Sequence, residues 1–283
     1  MRTSTLRIVV LGGFKCVLDL IFAIASVAYG LRRLYGSWTG AAIRVERSSD
    51  NAQLDIGFTA SGDLDIAALL AFVGSGSGFV TIWYDQSGNN RHATQTTAGS
   101  QPRIVNNGVL ETLNGKPALR LLSSTLNIAP ISFTNGYVGA VAAAASGDDN
   151  APVVLYDPPV GGYNGLMGFS GGSFIRFRVR SPDSHGAFQY ANPVNTNILM
   201  SYTANTANGV ADIRYFINGT QKATDTGAAI TLPPVIGIGG SHASQWLRDG
   251  TVQEVAVFNT ALSTTDRQTL ERNQGSYYNI TVA

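Results

Sequence analysis

The chain has little of the side-chain chemistry on which metal and cofactor sites depend. Its 283 residues include one cysteine and three histidines. Cys16 is the only thiol, so an internal disulfide is excluded, and a domain of this size can bury enough core without one. The histidines, His92, His185 and His242, do not have the spacing of a zinc site. We therefore expect no bound metal and no other cofactor.

Charge is scarce as well. Charged residues make up 13% of the chain, against about 25% in ordinary globular domains. The 19 Lys and Arg and the 18 Asp and Glu nearly balance, leaving a formal net charge of +1. No stripe of basic residues interleaved with aromatics is present. These features argue against a nucleic-acid partner.

The composition favours many short strands. Apolar residues make up 44% of the chain, and 32 glycines are spread along it. Short alternating segments are separated by turn residues, which is typical of an all-β sandwich or barrel, and no repeat of fixed period is present. The clearest predicted strands span residues 42–47, 79–84, 137–143, 174–179, 198–202, 213–217, 235–238 and 252–258.

Two short helices are expected beside these strands. The first is predicted over residues 63–73, with Asp63 as its N-cap. The second is a short helix that begins after Ser263 and runs to Glu271, with Asp266 at its third position as a variant of the capping box.

The first thirty-five residues allow more than one interpretation. Residues 8–31 are mostly apolar, but Lys15 and Asp19 divide them into pieces too short to span a bilayer. Signal cleavage after Ala28 is one alternative. We favour an N-terminal extension or docking arm over residues 1–17, followed by a single domain over residues 18–283 that starts with a buried strand.

The last third resembles a laminin-G-like module. The resemblance rests on residues 212–219 (DIRYFING), 236–240 (IGIGG) and 250–263 (GTVQEVAVFNTALS). Asn218-Gly219 independently predicts a hairpin, because a type I′ turn needs positive φ at both central residues. The resemblance implies a two-sheet antiparallel jelly-roll sandwich of the concanavalin A-like or laminin-G-like type.

A second resemblance covers the first third. Residues 28–35 (AYGLRRLY), 40–50 (GAAIRVERSSD) and 82–95 (IWYDQSGNNRHATQ) are similar to the catalytic domain of fungal α-L-arabinofuranosidase B. Relatives of this block also occur in structural proteins of tailed bacteriophages, which this chain resembles in lacking the fungal cysteines. Within the block, the loop beginning at Asp85 could either ligate Ca²⁺ or form an Asx turn, and the turn is favoured.

The hypothesis that the chain is a glycosidase requires a pair of carboxylates that the sequence does not place as the family does. Retaining glycosidases need two carboxylates about 5–5.5 Å apart. The resemblance places the family's acid/base aspartate at Ser241, and its nucleophile is a glutamate, yet no glutamate lies between Glu111 and Glu254. We therefore assign no catalytic residue. A relocated carboxylate stays open as an alternative, and the candidates are Asp157, Asp183, Asp212, Asp225 and Asp249.

Two loops have the composition of a sugar-binding surface, which combines aromatic rings with hydrogen-bonding side chains. One spans residues 241–249 and the other residues 156–164. An equal alternative for Trp246 is a place in the core at the entry of a strand. The predicted ligand-binding residues are His242, Gln245, Trp246, Arg248, Asp249, Tyr156 and Tyr163.

Together these patterns predict a non-enzymatic structural or adhesion protein of a tailed-phage virion, as a capsid decoration or a tail fibre. Such a protein would assemble in the host cytoplasm as a homo-oligomer. Its partners would be other virion proteins, contacted through the N-terminal segment, and cell-surface glycan. The first alternative is an arabinofuranosidase-like glycoside hydrolase. The second is a secreted or membrane-tethered bacterial lectin.

Overall fold

The computed structural model describes residues 16–144, 152–155, 166–170, 174–178, 188–191, 194–206, 210–228, 232, 234–239 and 250–283. The strands of the first half are β1 (Val27–Gly30), β2 (Ile43–Arg47), β3 (Gln53–Ile56), β4 (Gly78–Trp83), β5 (Ala93–Thr94), β6 (Arg103–Asn106), β7 (Val109–Leu110), β8 (Thr112–Leu113), β9 (Lys116–Pro117), β10 (Leu119–Leu121), β11 (Thr125–Ile131) and β12 (Asn135–Ala144). The strands of the second half are β13 (Pro152–Leu155), β14 (Leu166–Ser170), β15 (Phe174–Arg178), β16 (Phe188–Ala191), β17 (Ile198–Asn205), β18 (Val210–Ile217), β19 (Thr220–Ala228), β20 (Val235–Gly239) and β21 (Gly250–Phe258). The helices are α1 (Ile66–Val73) and α2 (Thr264–Tyr278), and 3₁₀ turns lie at Val17–Asp19 and Ala98–Ser100.

The strands form the predicted antiparallel sandwich. The first sheet has the order β19-β18-β17-β12-β21, and both β1 and β10 pair with the far side of β21. The second has the order β3-β2-β4-β5-β11-β20-β13-β14-β15-β16. Strand β6 pairs with both β4 and β10 and so joins the two sheets. The all-β fold class is confirmed.

Strand β12 shows why some strands lack alternation of polar and apolar residues. Val138 and Ala140 belong to the main core between the sheets, whereas Tyr137 and Val141 belong to smaller clusters on the other face. Because helix α2 contacts side chains on that outer face, both faces of β12 are buried. A strand covered on both faces reads as a continuous apolar run.

Helix α1 starts later than the sequence predicts. Asp65, not Asp63, is the N-cap, and its carboxylate accepts a hydrogen bond from the Ala68 N–H (3.0 Å). Residues 63 and 64 are held extended by isolated β-bridges, Arg32 with Asp63 and Phe58 with Leu64. Tertiary pairing therefore overrides the local capping signal at Asp63.

Helix α2 begins where the sequence predicts but runs further. The Ser263 hydroxyl accepts a hydrogen bond from the Asp266 N–H (3.0 Å), and the helix continues past residue 271 to Tyr278. It ends at Asn279 in the left-handed conformation, after which the Ile280 N–H bonds back to the Gly275 carbonyl (2.9 Å). A Cβ at Gly275 would lie 2.7 Å from the Ile280 carbonyl oxygen, so glycine is required for this return.

The β18–β19 hairpin is confirmed as predicted. Asn218 and Gly219 have φ values of 49° and 76° and connect the paired residues Ile217 and Thr220. The Asn218 side chain also accepts a hydrogen bond from the Leu199 N–H (3.0 Å), which ties the turn to the neighbouring strand β17. Positive φ at both positions is the requirement that made this dipeptide predictive.

The described part of the N-terminal region belongs to the sandwich. All four residues of β1 are buried, and β1 pairs with β21. Val17 and Leu18 pack in a cluster with Tyr137 and Phe258. Among the described residues no helix is both long enough and apolar enough to cross a bilayer. The boundary at residue 17 and the role of a docking arm stay predictions.

Candidate functional site

The predicted sugar-binding residues fall in two loops outside the described part of the chain. They are His242, Gln245, Trp246, Arg248, Asp249, Tyr156 and Tyr163. The strands that flank these two segments are described. One loop joins the end of β20 in the second sheet to the start of β21 in the first, and the other joins β13 to β14.

The exit from β20 is fixed by a glycine. Gly239 has φ of 68°, and a Cβ there would lie 2.6 Å from the Ser124 carbonyl oxygen. It pairs with Thr125 at the start of β11. Both the backbone conformation and the close approach of β11 therefore require glycine. This accounts physically for the Gly-rich strand before the loop that begins at residue 240.

The Asp85 loop is an Asx turn, as the sequence favours. Asp85 is 0% exposed, and its Oδ1 accepts hydrogen bonds from the N–H groups of Ser87 and Ala28 (2.9 Å each). Its Oδ2 accepts from the Ser87 hydroxyl (2.8 Å) and the Arg91 N–H (3.1 Å). In the described residues no three His, Cys, Asp or Glu side chains group together as metal ligands would. The turn anchors β1 to the segment after β4.

Next to Asp85, Gln86 anchors the segment that follows β1. Its side-chain oxygen accepts from the Leu34 N–H (2.8 Å), and its amide nitrogen donates to the carbonyls of Gly30 and Arg32 (3.1 and 3.0 Å). Gln86 is 2% exposed. Asp85 and Gln86, two of the residues that carry the resemblance in the first third, therefore hold the framework together, and their burial closes them to a substrate.

A buried glutamate lies under helix α2. Glu254 is 0% exposed and forms an ion pair with Arg32 at 2.7 Å. It also accepts hydrogen bonds from Gln274 Nε2 (3.0 Å) and the Tyr278 hydroxyl (3.1 Å). A β-bulge in β21 leaves Gln253 without a partner in β12, because Val141 pairs with Glu254 and Ala142 with Val252. Bulges re-aim side chains in this way.

A second buried glutamate, Glu271, lies in helix α2 itself. Glu271 is 0% exposed, pairs with Arg267, and accepts a hydrogen bond from the Ser201 hydroxyl (2.6 Å). Burial raises the pKa of the Glu271 carboxyl, although Ser201 and Arg267 act in the opposite direction. Since neither Glu254 nor Glu271 reaches solvent, a sugar cannot contact them. They are structural charges and not a catalytic pair.

The structure narrows the list of relocated carboxylates. Asp212 lies on β18 and is bound to Arg214 (2.8 Å), with 37% of its side chain exposed. Asp225 lies on β19 opposite Ile213. Both belong to the β18–β19 hairpin at the edge of the first sheet. Asp157, Asp183 and Asp249 lie outside the described residues and remain candidates.

Comparisons with known proteins point in one direction. A family model for the catalytic domain of α-L-arabinofuranosidase B matches residues 23–152, a little under half of the chain. The probable α-L-arabinofuranosidase B of Aspergillus flavus is 36% identical over 103 residues, which is 33% of this chain and 20% of the fungal protein. That of Aspergillus fumigatus is 34% identical over 136 residues, which is 44% of this chain and 25% of the fungal protein.

The chain is similar to the catalytic domain of α-L-arabinofuranosidase B. Its fold agrees with solved structures of such enzymes. A glycoside hydrolase family 54 arabinofuranosidase soaked with a cyclic sulfate inhibitor superposes with a TM-score of 0.65 at 17% identity, covering 91% of this chain and 63% of that structure. An arabinofuranosidase complexed with arabinofuranosyl-α-1,2-xylobiose gives 0.65 at 16% identity with the same coverage. At these identities the likeness establishes the fold.

These matches correct the predicted function. A non-enzymatic structural or adhesion protein of a phage virion was the expected class, and that prediction is wrong: the family model, the curated relatives and the structural neighbours described above are those of a glycoside hydrolase. The chain spans a quarter or less of the length of the two curated relatives described above. The docking arm, the homo-oligomer and the location of the protein are not tested and stay predictions.

Sequence reasoning did not single out the residues under α2. Arg32, Glu254 and Tyr278 come from three distant segments and meet only in the fold. One signal was available: two adjacent arginines, Arg32 and Arg33, interrupt an otherwise apolar stretch over residues 28–34, and a buried arginine is normally paired. Its partner could not have been chosen from sequence.

Proposed function

We propose that the chain is a glycoside hydrolase directed at α-L-arabinofuranosides. The observation that carries the proposal is the agreement between the family model over residues 23–152 and the superposition on arabinofuranosidases over 91% of the chain. The first covers a little under half of the chain, and the second extends through both sheets. Together they indicate that the chain shares a fold with these enzymes and not only a short sequence motif.

The proposal requires two carboxylates that can reach a sugar. Retention needs them about 5–5.5 Å apart, one as nucleophile and one as acid/base. Glu254 and Glu271 are sealed under α2, and Asp212 is bound to Arg214 on an edge hairpin. If Ser241 has replaced the family's acid, the pair must come from other residues. Asp157, Asp183 and Asp249 are the candidates on the loop segments.

Turnover of 4-nitrophenyl α-L-arabinofuranoside tests the proposal. The three candidates are changed one at a time, as Asp157→Asn, Asp183→Asn and Asp249→Asn. We expect two of the variants to lose about 100-fold or more in kcat/KM, because positioned acids and bases contribute that much or more to such reactions. Asp212→Asn is the matched control, since it removes a carboxylate on an exposed edge hairpin and should leave turnover unchanged.

Two results would count against hydrolysis. One is a folded wild-type protein that releases no nitrophenol. The other is turnover that survives all three substitutions, because the carboxylates would then have been assigned wrongly. Circular dichroism of each variant separates loss of chemistry from loss of fold.

A second candidate function is binding of arabinofuranosyl groups without cleavage. The specific observation that favours it is Ser241 at the position implied for the acid/base aspartate. A serine hydroxyl is too weak a proton donor near neutral pH to protonate a leaving group. Calorimetric titration of the wild-type chain with an arabinofuranosyl oligosaccharide distinguishes the two: saturable binding with no released sugar supports binding alone.

A further inference from the structure

A cleft of about 400 Å³ lies where the C-terminal end of α2 meets the start of the described chain. Its lining includes Cys16, Arg32, Arg33, Lys116 and Tyr277, together with asparagine and serine side chains from α2 and beyond. It lies on the α2 side of the first sheet, and none of its lining residues is a candidate for the proposed hydrolysis.

The charged side chains that line this cleft are all cationic. Arg32, Arg33 and Lys116 are cationic, and among the described lining residues no carboxylate is present. Glu254 neutralises Arg32 from the buried side. Lys116 Nζ lies 4.0 Å from the centre of the Tyr277 ring, a cation–π contact that leaves its charge in place. Asp63 does not line the cleft, but its carboxylate accepts a hydrogen bond from the Tyr277 hydroxyl (2.7 Å) and interacts electrostatically with Lys116 and Arg32.

Arg33 adds an unused donor. Its Nε is buried and has no hydrogen-bond partner in the described structure. Its guanidinium carbon lies 5.5 Å from the centre of the Phe58 ring, which offers no acceptor oxygen. Buried donors are nearly always paired with protein, water or a ligand, so an unpaired guanidinium nitrogen beside a cationic cleft needs an acceptor.

The chain segments on either side of Cys16 bring little negative charge to the cleft. Residues 1–15, which lead into Cys16, contain Arg2, Arg7 and Lys15 but no Asp or Glu. Burial raises the pKa of the Cys16 thiol, so the thiol is neutral at pH 7. Asp19 follows the lining residues Cys16 and Val17, but its carboxylate accepts a hydrogen bond from the Gly36 N–H (2.9 Å), and it does not line the cleft.

We propose that this cleft binds an oxyanion, a carboxylate or phosphate group carried by a small molecule, with Lys116 and Arg33 as its ligands. The arginine fork fits two oxygens of such a group, and the lysine supplies a point charge. Asn273 uses its side-chain oxygen to accept from Arg32 (2.7 Å), so its amide nitrogen is left to donate. The inference is independent of sugar hydrolysis.

The test is titration of the full chain with sodium phosphate and with sodium glucuronate at constant ionic strength, with glucose as the neutral control. We expect at least one anion to bind saturably and to raise Tm, because a ligand that binds only the folded state stabilises it. Lys116→Gln and Arg33→Gln should each weaken binding about tenfold or more, the size expected for a lost charge-assisted hydrogen bond. Lys222→Gln, at an exposed position on β19, is the matched control and should bind as the wild type does.

The two anions separate the sources of the group. Tighter binding of phosphate supports a phosphorylated ligand, and tighter binding of glucuronate supports an acidic sugar. The proposal is overturned if neither anion binds saturably, or if Lys116→Gln and Lys222→Gln bind equally well. The test of anion binding is independent of arabinofuranoside turnover, since an inactive chain can still bind the anion.

Discussion

The Asp85 turn and the layer under α2 both bury a carboxylate completely, but they stabilise it in different ways. Asp85 is held by three backbone N–H groups and one hydroxyl, all within a single loop and the strand beside it. Glu254 is held by a counter-ion, Arg32, and by two side chains from α2. The first arrangement needs no second charge, whereas the second fails if either charge is removed.

Removing Arg32 should therefore have the largest effect. Arg32→Met leaves Glu254 buried without a counter-ion, and breaking a buried pair in this way costs about 3–5 kcal/mol. Urea denaturation of the variant and the wild type measures the difference. The double variant Arg32→Met with Glu254→Leu should lose less than the single one, because no charge is then left unpaired. A loss below about 1 kcal/mol in the single variant would contradict the assignment.

Asp85→Asn should cost less, about 1–3 kcal/mol, the penalty for buried polar groups left unpaired. The amide oxygen can still accept from the Ser87 and Ala28 N–H groups. The amide nitrogen, however, would face the Arg91 N–H, two donors with no acceptor between them. The same denaturation experiment applies, and an Asp85→Asn variant less stable than Arg32→Met would reverse the order argued here.

The cap of α2 is expected to contribute less again. Ser263→Ala removes the acceptor for the Asp266 N–H, and such a loss costs about 1 kcal/mol. Ser263→Thr is the matched control, since the threonine hydroxyl can accept the same hydrogen bond and donate to the Asp266 carboxylate as the serine does (2.9 Å), and it should keep most of the stability. If alanine and threonine behave alike, the hydrogen bond is not what matters at this position.

Breaking the exposed ion pair between Arg47 and Asp50 should have the smallest effect on stability but a clear effect on the pKa of Asp50. Arg47 donates to Asp50 (2.6 Å) and lowers the pKa of that carboxyl to about 2, assisted by the Ala52 N–H. The pair's contribution is present above the ordinary pKa of an aspartate and is lost as pH falls through about 2. NMR titration should show the Asp50 midpoint rising toward 3.8 in Arg47→Gln. An unchanged midpoint would mean that Arg47 does not hold the carboxylate.

Local signals predicted the parts of the fold that depend on local physics. Asn218-Gly219 specifies its turn by backbone conformation alone, and Ser263 specifies a helix start by one hydrogen bond. Asp63 has the same capping chemistry but is held in a β-bridge with Arg32, which no local pattern reveals. The helix therefore starts at Ile66 rather than directly after Asp63.

The candidate sites likewise include features that local sequence predicts and features that only distant contacts determine. The Gly-rich strand before the loop at residue 240 could be recognised because Gly239 needs its conformation. The cationic cleft could not, since Arg33, Lys116 and Tyr277 come from three distant parts of the chain. The bulge that removes Gln253 from pairing with β12 likewise depends on distant residues. The side-chain nitrogen of Gln253 donates hydrogen bonds to the carbonyls of Leu113, Lys116 and Pro117.

Proton NMR of a fresh mixture of the full chain and 4-nitrophenyl α-L-arabinofuranoside tests the proposed activity most directly. Hydrolysis through two carboxylates about 5–5.5 Å apart predicts that arabinose is released first with its α configuration retained. Release of the β anomer first would mean that the carboxylates are further apart. No release at all from correctly folded protein would contradict the assignment to arabinofuranoside hydrolysis.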